Sequence, residues 1–211
     1  MFDTLADHTH QDFEARHNAR EDALKKTRQL TRKSANAIRA VHRNELDIAE
    51  ENMGEASALI NELQSSLKNF PEFYFSGYTQ DAIKEFIEAR LTINMLEDKP
   101  LPTPSSLGVE YSTYLKGLAE TIGELRRKCL DILRKGYSDE AERLLTLMDE
   151  IYSLLVTIDY PDALTYGLRR QTDLVRGIIE RTRADLTMSL REQHLQQSLK
   201  DFEDRFLNNG K

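Results

Sequence analysis

Residues 12–52 read DFEARHNAREDALKKTRQLTRKSANAIRAVHRNELDIAEEN and contain neither proline nor glycine. Apolar side chains recur along this stretch at the spacing of one helical face, and they are Phe13, Leu24, Leu30, Ile38 and Val41. The pattern predicts one long amphipathic helix. Because a single helix cannot bury its own apolar stripe, the stretch also predicts partner helices packed along it.

The rest of the chain repeats the helical pattern in shorter pieces. Further helices are predicted over about 54–69, 79–97, 107–135, 139–158 and 163–207. Ser105 or Ser106 is the expected N-cap of the helix over 107–135, and Gly136 is its expected stop. Ser138 or Asp139 is the expected cap of the helix that follows.

Composition supports an all-α fold. The 211 residues include only 9 glycines and 5 prolines, and alternating runs rich in Val, Ile and Thr are absent. We therefore expect a bundle of about six or seven helices with long first and last helices, forming a single domain over residues 1–211. Residues 1–11 and 208–211 are expected to fray.

The sequence also indicates where the protein works. Cys129 is the only cysteine and lies inside an amphipathic helix pattern, so we expect a buried thiol and a reducing compartment. No run of about 18 apolar residues and no charged-then-apolar leader is present. We therefore expect no membrane segment and a cytoplasmic location.

Basic residues are concentrated on the first predicted helix. Seven lysines or arginines and no acid lie between Ala23 and Asn44, although the chain carries a net charge of −7. Five of them fall on one side of a helix, namely Lys25, Arg28, Arg32, Arg39 and Arg43. This basic stripe is either a solvated face or a local site for the phosphates of an extended nucleic acid strand.

Two pairs of glutamates are candidate chemical groups. Glu85 and Glu88 are three residues apart on one helix, and Glu120 and Glu124 are four apart on the next, so each pair shares a helix face opposite the apolar stripe. They either face water or meet to hold a divalent cation, for which oxygen ligands favour Mg²⁺ or Mn²⁺. A di-iron site is disfavoured, because no histidine follows these glutamates at the required spacing.

Two motifs on these helices resemble a known family. They are Lys84-Glu85-Phe86-Ile87-Glu88-Ala89 and the run from Tyr114 to Leu125, YLKGLAETIGEL. Both are similar to motifs of the translin family, specifically of its translin-associated factor X (TRAX) branch. Weaker similarity extends over 34–43 and 162–186, so that the resemblance covers most of the chain.

The resemblance implies an all-α fold of about seven helices, assembly into a hollow octamer, and binding of single-stranded RNA or DNA. For the TRAX branch it also implies metal-dependent endoribonuclease activity, with Glu85, Glu88, Glu120 and Glu124 as the catalytic and metal-holding residues. Glu120 departs from the pattern, because the branch usually has aspartate there. The translin branch lacks these acids, so their presence favours a self-sufficient homo-oligomer.

The main hypothesis is thus a homo-oligomeric endoribonuclease for single-stranded RNA that uses Mg²⁺ or Mn²⁺ and holds the strand on the basic stripe. Two alternatives remain. One is a non-catalytic protein of the same family that binds single-stranded RNA or DNA, and the other is a helical interaction scaffold with no nucleic acid role.

Overall fold

A computed structural model describes the backbone of residues 2–208 and the side chains of residues 2–205. Every regular element in this part of the chain is an α-helix, which confirms the predicted all-α fold. The helices are α1 (Phe2–His42), α2 (Leu46–Ser66), α3 (Pro71–Tyr74), α4 (Gly77–Leu96), α5 (Pro104–Leu107), α6 (Tyr111–Leu133), α7 (Asp139–Leu155), α8 (Asp162–Thr165) and α9 (Leu168–Asn208).

The contacts within the chain divide it into two compact units, residues 1–118 and 119–211, and the boundary falls inside the continuous helix α6. In the first unit α1 packs against α2 and α4, which supplies the partners that its length requires. In the second unit α7 packs against α9. A single domain over 1–211 with frayed ends stays a prediction, and residues 209–211 of its second end lie outside the described residues.

The first helix differs from the prediction at both ends. It begins at Phe2 rather than near residue 12, and it ends at His42, so residues 46–52 belong to α2, which continues through Gly54. Asn44 makes the break by taking a left-handed conformation (φ 60°), which asparagine tolerates better than most residues. The Glu45 N–H donates to the Ala40 carbonyl across the turn (2.9 Å). This turn folds α2 back along α1.

Burial along α1 is confined to its later turns. Leu30, Ile38 and Val41 are buried as the pattern predicts, and Leu24 is half-buried. Phe13 is 65 % exposed, so its assignment to the apolar core side was wrong. The reason is that residues 2–18 are all exposed, and Glu72 of α3 reaches this stretch through its ion pair with Arg16 without burying it.

The helix ends show which local signals were correct. The Ser138 hydroxyl accepts a hydrogen bond from the Glu140 N–H and caps α7, while Gly136 (φ 114°) follows the end of α6. Ser105 and Ser106 do not cap α6, because they lie inside α5, and α6 begins only at Tyr111. The short helix α5 was predicted as loop.

Cys129 is buried on α6, as expected, with its Sγ 3.7 Å from the Ala141 carbonyl oxygen. Burial raises the pKa of its thiol to about 11, so the group stays protonated at neutral pH. None of the described helices combines the length and the apolar character that a bilayer crossing requires.

Candidate functional site

The start of α6 lies unusually close to α4, and a glycine permits this approach. A Cβ placed on Gly117 would lie 2.7 Å from Ile87 Cγ2 and 3.0 Å from the Lys84 carbonyl oxygen. Only glycine leaves room for the two backbones at this separation. One turn earlier, the Thr113 hydroxyl donates to Gln80 Oε1 (2.6 Å), which fixes how α6 is aligned along α4.

Three of the four predicted glutamates come together through this arrangement. Glu85 and Glu88 lie on α4, and Glu120 follows Gly117 by three residues on α6. Their side chains are half-buried, and one carboxylate oxygen from each lies within 4.8 Å of the other two. Such a cluster differs from the simpler expectation that acids opposite an apolar stripe face water.

The fourth predicted glutamate, Glu124, does not belong to this group of three. Glu124 lies one turn after Glu120 on α6 and is half-buried, but it is not among the carboxylates that meet within 4.8 Å. Its carboxylate is 3.5 Å from the guanidinium of Arg127 on the same helix. Ion pairs at this spacing on a helix surface contribute only about 0.3–0.5 kcal/mol, so Arg127 does not fix Glu124 strongly.

Two other side chains reduce the repulsion within the cluster. The Lys84 side chain is 14 % exposed, and its ammonium lies 3.7 Å from Glu85 Oε1. From α9, Gln171 Nε2 donates a hydrogen bond to Glu120 Oε1 at 3.2 Å. Neither residue stands out in the sequence, because a lysine beside an acid and a glutamine in a long helix are both common.

The glutamate cluster fits a small, hard cation. Mg²⁺ binds oxygen ligands at about 2.1 Å, so two oxygens on one ion are at most about 4.2 Å apart. Oxygens within 4.8 Å of one another therefore need to close by less than an ångström, which a change in side-chain torsion provides. All three groups are carboxylates, which favours Mg²⁺ or Mn²⁺ over the metals that prefer histidine or cysteine.

The basic stripe is exposed along its whole length, and it comprises Lys25, Arg28, Arg32, Arg39 and Arg43. The two basic residues outside the stripe are half-buried and paired with acids. Lys26 lies 2.8 Å from Asp22, and Lys33 lies 2.6 Å from Glu55 of α2. Acids from the same unit thus neutralise the basic residues that face the neighbouring helix, and the stripe remains on the solvent side.

The five stripe residues have different surroundings. Lys25, Arg28 and Arg32 form no ion pair with any described residue, and Arg39 donates to Asn36 Oδ1 (2.6 Å). Arg43 lies beyond the end of α1, which corrects its placement on the helix, and donates twice to Glu45 Oε2 (2.9 and 2.6 Å). This hydrogen bonding raises the pKa of Arg43 and lowers that of Glu45, so both groups stay charged.

Known proteins resemble this chain over most of its length, although no family profile matches the sequence. The chain is 35 % identical over 186 residues to Uncharacterized protein MJ0175 of Methanocaldococcus jannaschii, and the alignment covers 87 % of this chain and 82 % of the relative. The AfC3PO–duplex RNA complex is 31 % identical with a TM-score of 0.83, covering 89 % of this chain and 97 % of that one.

Two further solved structures agree with this result. The crystal structure of AfC3PO superposes with a TM-score of 0.82 at 31 % identity, and it covers the same share of each chain. Apo-NeC3PO has a TM-score of 0.79 at 23 % identity over 87 % of this chain and 96 % of its own, which shows the fold alone. These matches, from archaea and a fungus, show that the chain has the all-α fold of C3PO proteins. The chain belongs to the translin family.

The close approach at Gly117 leads to a stability prediction. We expect Gly117→Ala to lower the free energy of unfolding by about 1–3 kcal/mol, because the new methyl group overlaps Ile87 and a backbone carbonyl that cannot turn away. Gly123→Ala on the same helix meets nothing within 4 Å and should instead raise stability by about 0.5–1 kcal/mol. Urea unfolding followed by circular dichroism measures both, and equal effects would contradict the required close approach.

Proposed function

We propose that this protein binds RNA and cuts single strands of it as a metal-dependent endoribonuclease of the TRAX branch. The observation that carries the proposal is the meeting of Glu85, Glu88 and Glu120 within 4.8 Å at the positions that the family motifs mark. The AfC3PO–duplex RNA complex supports RNA as the proposed partner, because AfC3PO aligns with most of this chain at 31 % identity.

In this proposal the three clustered carboxylates hold Mg²⁺ or Mn²⁺. When bound, the cation supplies polarisation of a phosphoryl oxygen and activation of a water. We assign Glu124 to orienting that water, because it lies one turn beyond Glu120 on the same face of α6. In the absence of the cation, Lys84 partly neutralises the negative charge of the cluster, since its ammonium lies beside Glu85.

The basic stripe is proposed to hold the strand. Lys25, Arg28, Arg32 and Arg39 share the exposed side of α1 and span 14 residues, or about 21 Å of helix. That length lets a strand make several phosphate contacts. Arg43 continues the stripe on the turn after α1, where its pairing with Glu45 should weaken its contribution.

A non-catalytic binding protein of the same family is the second candidate. The observation in its favour is that cations of the chain already lie near two of the acids, with Lys84 at 3.7 Å from Glu85 and Arg127 at 3.5 Å from Glu124. Under this alternative the acids form internal ion pairs, and the basic stripe binds single-stranded RNA or DNA without cleavage.

Exposed apolar side chains support assembly of several copies. On α1 they are Phe2, Leu5 and Phe13, and on α9 they are Met188, Leu195, Leu199 and Phe202, all at least half exposed. The α9 residues fall on one helix face, which is the pattern of a helix that packs against another. We therefore propose a homo-oligomer, and by family resemblance an octamer.

Nuclease activity provides the first test. Purified protein with Mn²⁺ should cut a single-stranded RNA, and EDTA should abolish cleavage. Glu88→Gln and Glu124→Gln should each lower the rate roughly 100-fold, because each removes one carboxylate charge at nearly constant size. Glu51→Gln, an exposed position on α2, is the matched control and should leave the rate unchanged.

The comparison of substrates separates the candidates. The same RNA sequence as a single strand and as a duplex, and the corresponding DNA, show which nucleic acid is cut. Equal rates in all variants and in EDTA would contradict the assignment of the four glutamates. Binding without cleavage in wild type would favour the second candidate.

The salt dependence of RNA binding tests the basic stripe. In EDTA, we expect the Arg28→Ala, Arg32→Ala double variant to bind a single-stranded RNA more weakly and to lower the salt slope by about 1.4, or about 0.7 for each lost phosphate contact. Arg20→Ala with Lys33→Ala is the control, since both of these cations already pair with acids. Equal slopes in the two double variants, measured by fluorescence anisotropy, would exclude the stripe. If wild type bound no RNA at any salt concentration, the alternative of a helical interaction scaffold with no nucleic acid role would be favoured.

Light scattering tests the assembly. An octamer has a mass of about 195 kDa, eight times the 24.4 kDa of one chain. We expect Leu195→Glu with Leu199→Glu to lower the measured mass, because charges on the apolar face of α9 oppose packing. Gln193→Glu with Gln197→Glu adds the same charge on the opposite face and should not. A wild-type mass near 24.4 kDa would contradict the proposed oligomer.

A further inference from the structure

Gln171 occupies a position that is normally apolar. The buried residues of α9 are Leu168, Val175, Ile179, Thr182 and Leu186, which follow one face of the helix. Gln171 lies on this face, between Leu168 and Val175. A polar side chain on a core face costs stability unless its polar atoms are hydrogen-bonded. The glutamine therefore needs an explanation from its partners.

The start of α9 is fixed by two consecutive left-handed residues. Tyr166 (φ 50°) and Gly167 (φ 85°) separate α8 from α9, and Leu168, the first residue of α9, is 1 % exposed. The Gln171 N–H donates to the Gly167 carbonyl in the first turn (3.4 Å). Gln171 thus projects from a helix end that the backbone defines closely, which suits a residue that places another group.

Within the described residues, the NH₂ group of the Gln171 amide forms a hydrogen bond and its oxygen does not. Its Nε2 donates to Glu120 Oε1 at 3.2 Å, whereas its Oε1 is buried and accepts no hydrogen bond. The orientation follows from chemistry, since the acceptor-only carboxylate requires the NH₂ group to face it. Thr182 on the same face differs, because it donates to the Ile178 carbonyl and accepts from Arg126. A buried amide oxygen without a donor is uncommon in a folded protein.

Glu120 is the group that Gln171 can control. A glutamate has three side-chain torsions, and a hydrogen bond to one carboxylate oxygen removes much of this freedom. With Oε1 of Glu120 held by Gln171, the orientation of the whole carboxylate toward Glu85 and Glu88 is restricted. Positioning a metal ligand from outside the ligand set typically changes metal affinity 10- to 100-fold.

We propose that Gln171 is a positioning residue of the cation site: its Nε2 orients the Glu120 carboxylate toward Glu85 and Glu88. The inference rests on the proposed function of the glutamate cluster. A buried amide oxygen without a donor costs stability, and a role in positioning Glu120 explains why glutamine rather than an apolar residue stands at this place on α9.

Manganese binding to the full-length protein tests this inference independently of nuclease activity. Mn²⁺ affinity, followed by the electron paramagnetic resonance signal of the free ion, should fall about 10-fold in Gln171→Leu. Gln171→Asn keeps an amide but shortens its reach, so it should fold as wild type and also bind Mn²⁺ more weakly. Gln197→Leu is the control, because Gln197 makes a similar glutamine–acid hydrogen bond, to Asp201, away from the site.

A double-mutant cycle distinguishes positioning from general packing. Because Gln171 acts through Glu120, adding Gln171→Leu to Glu120→Gln should weaken Mn²⁺ binding no further. The inference would be overturned if Gln171→Leu lowered the Mn²⁺ affinity as much in the Glu120→Gln background as in wild type. It would also be overturned if both Gln171 variants bound Mn²⁺ with wild-type affinity. If wild type itself takes up no Mn²⁺, the proposed cation site fails and the inference fails with it. If wild type binds Mn²⁺ and both Gln171 variants bind it with the same affinity, the inference about Gln171 fails and the proposed cation site stands.

Discussion

Electrostatic repulsion among the carboxylates of Glu85, Glu88 and Glu120 determines what the proposed site can bind. At separations of up to 4.8 Å, two full charges repel by roughly 3 kcal/mol at an effective dielectric of about 20, and partial exposure lowers this figure. Helices α4 and α6 nevertheless bring Glu85, Glu88 and Glu120 together. The Lys84 ammonium lies beside Glu85, and the Gln171 amide donates a hydrogen bond to Glu120. A divalent cation is the natural complement of this arrangement.

Backbone details set the positions of these side chains. Gly117 lets the start of α6 approach α4 at Ile87 and Lys84. Asn44 turns the chain so that α2 covers α1, and Glu55 of α2 then pairs with Lys33. Gly167, in a left-handed conformation, directly precedes the helix that carries Gln171. Local conformation at a few positions thus determines which charged groups face one another and which face solvent.

The sequence predicted the helices better than it predicted their partners. Periodicity identified the six long helices, because apolar stripes survive in any helical packing. It missed the break at Asn44, since the surrounding residues are compatible with continued helix and the turn depends on α2 packing against α1. Phe13 fitted the apolar pattern of α1 but is exposed, because periodicity does not show how far along a helix its partner extends.

The candidate site was predicted by motif rather than by pattern. Spacing alone left two interpretations open, glutamates that face water or pairs that meet around a cation, and the family resemblance favoured the second for Glu85, Glu88, Glu120 and Glu124. Gln171 had no sequence signal, because its importance depends on a single contact between residues 51 positions apart. Long-range contacts of this kind follow from the folded structure and not from local preference.

Anomalous scattering from crystals containing Mn²⁺ shows whether the three carboxylates hold a cation. We expect one manganese peak bonded to carboxylate oxygens of Glu85, Glu88 and Glu120, at distances typical of metal–oxygen bonds. A fully loaded crystal with no peak between these carboxylates, or with the Lys84 ammonium in the position of the ion, would contradict this expectation.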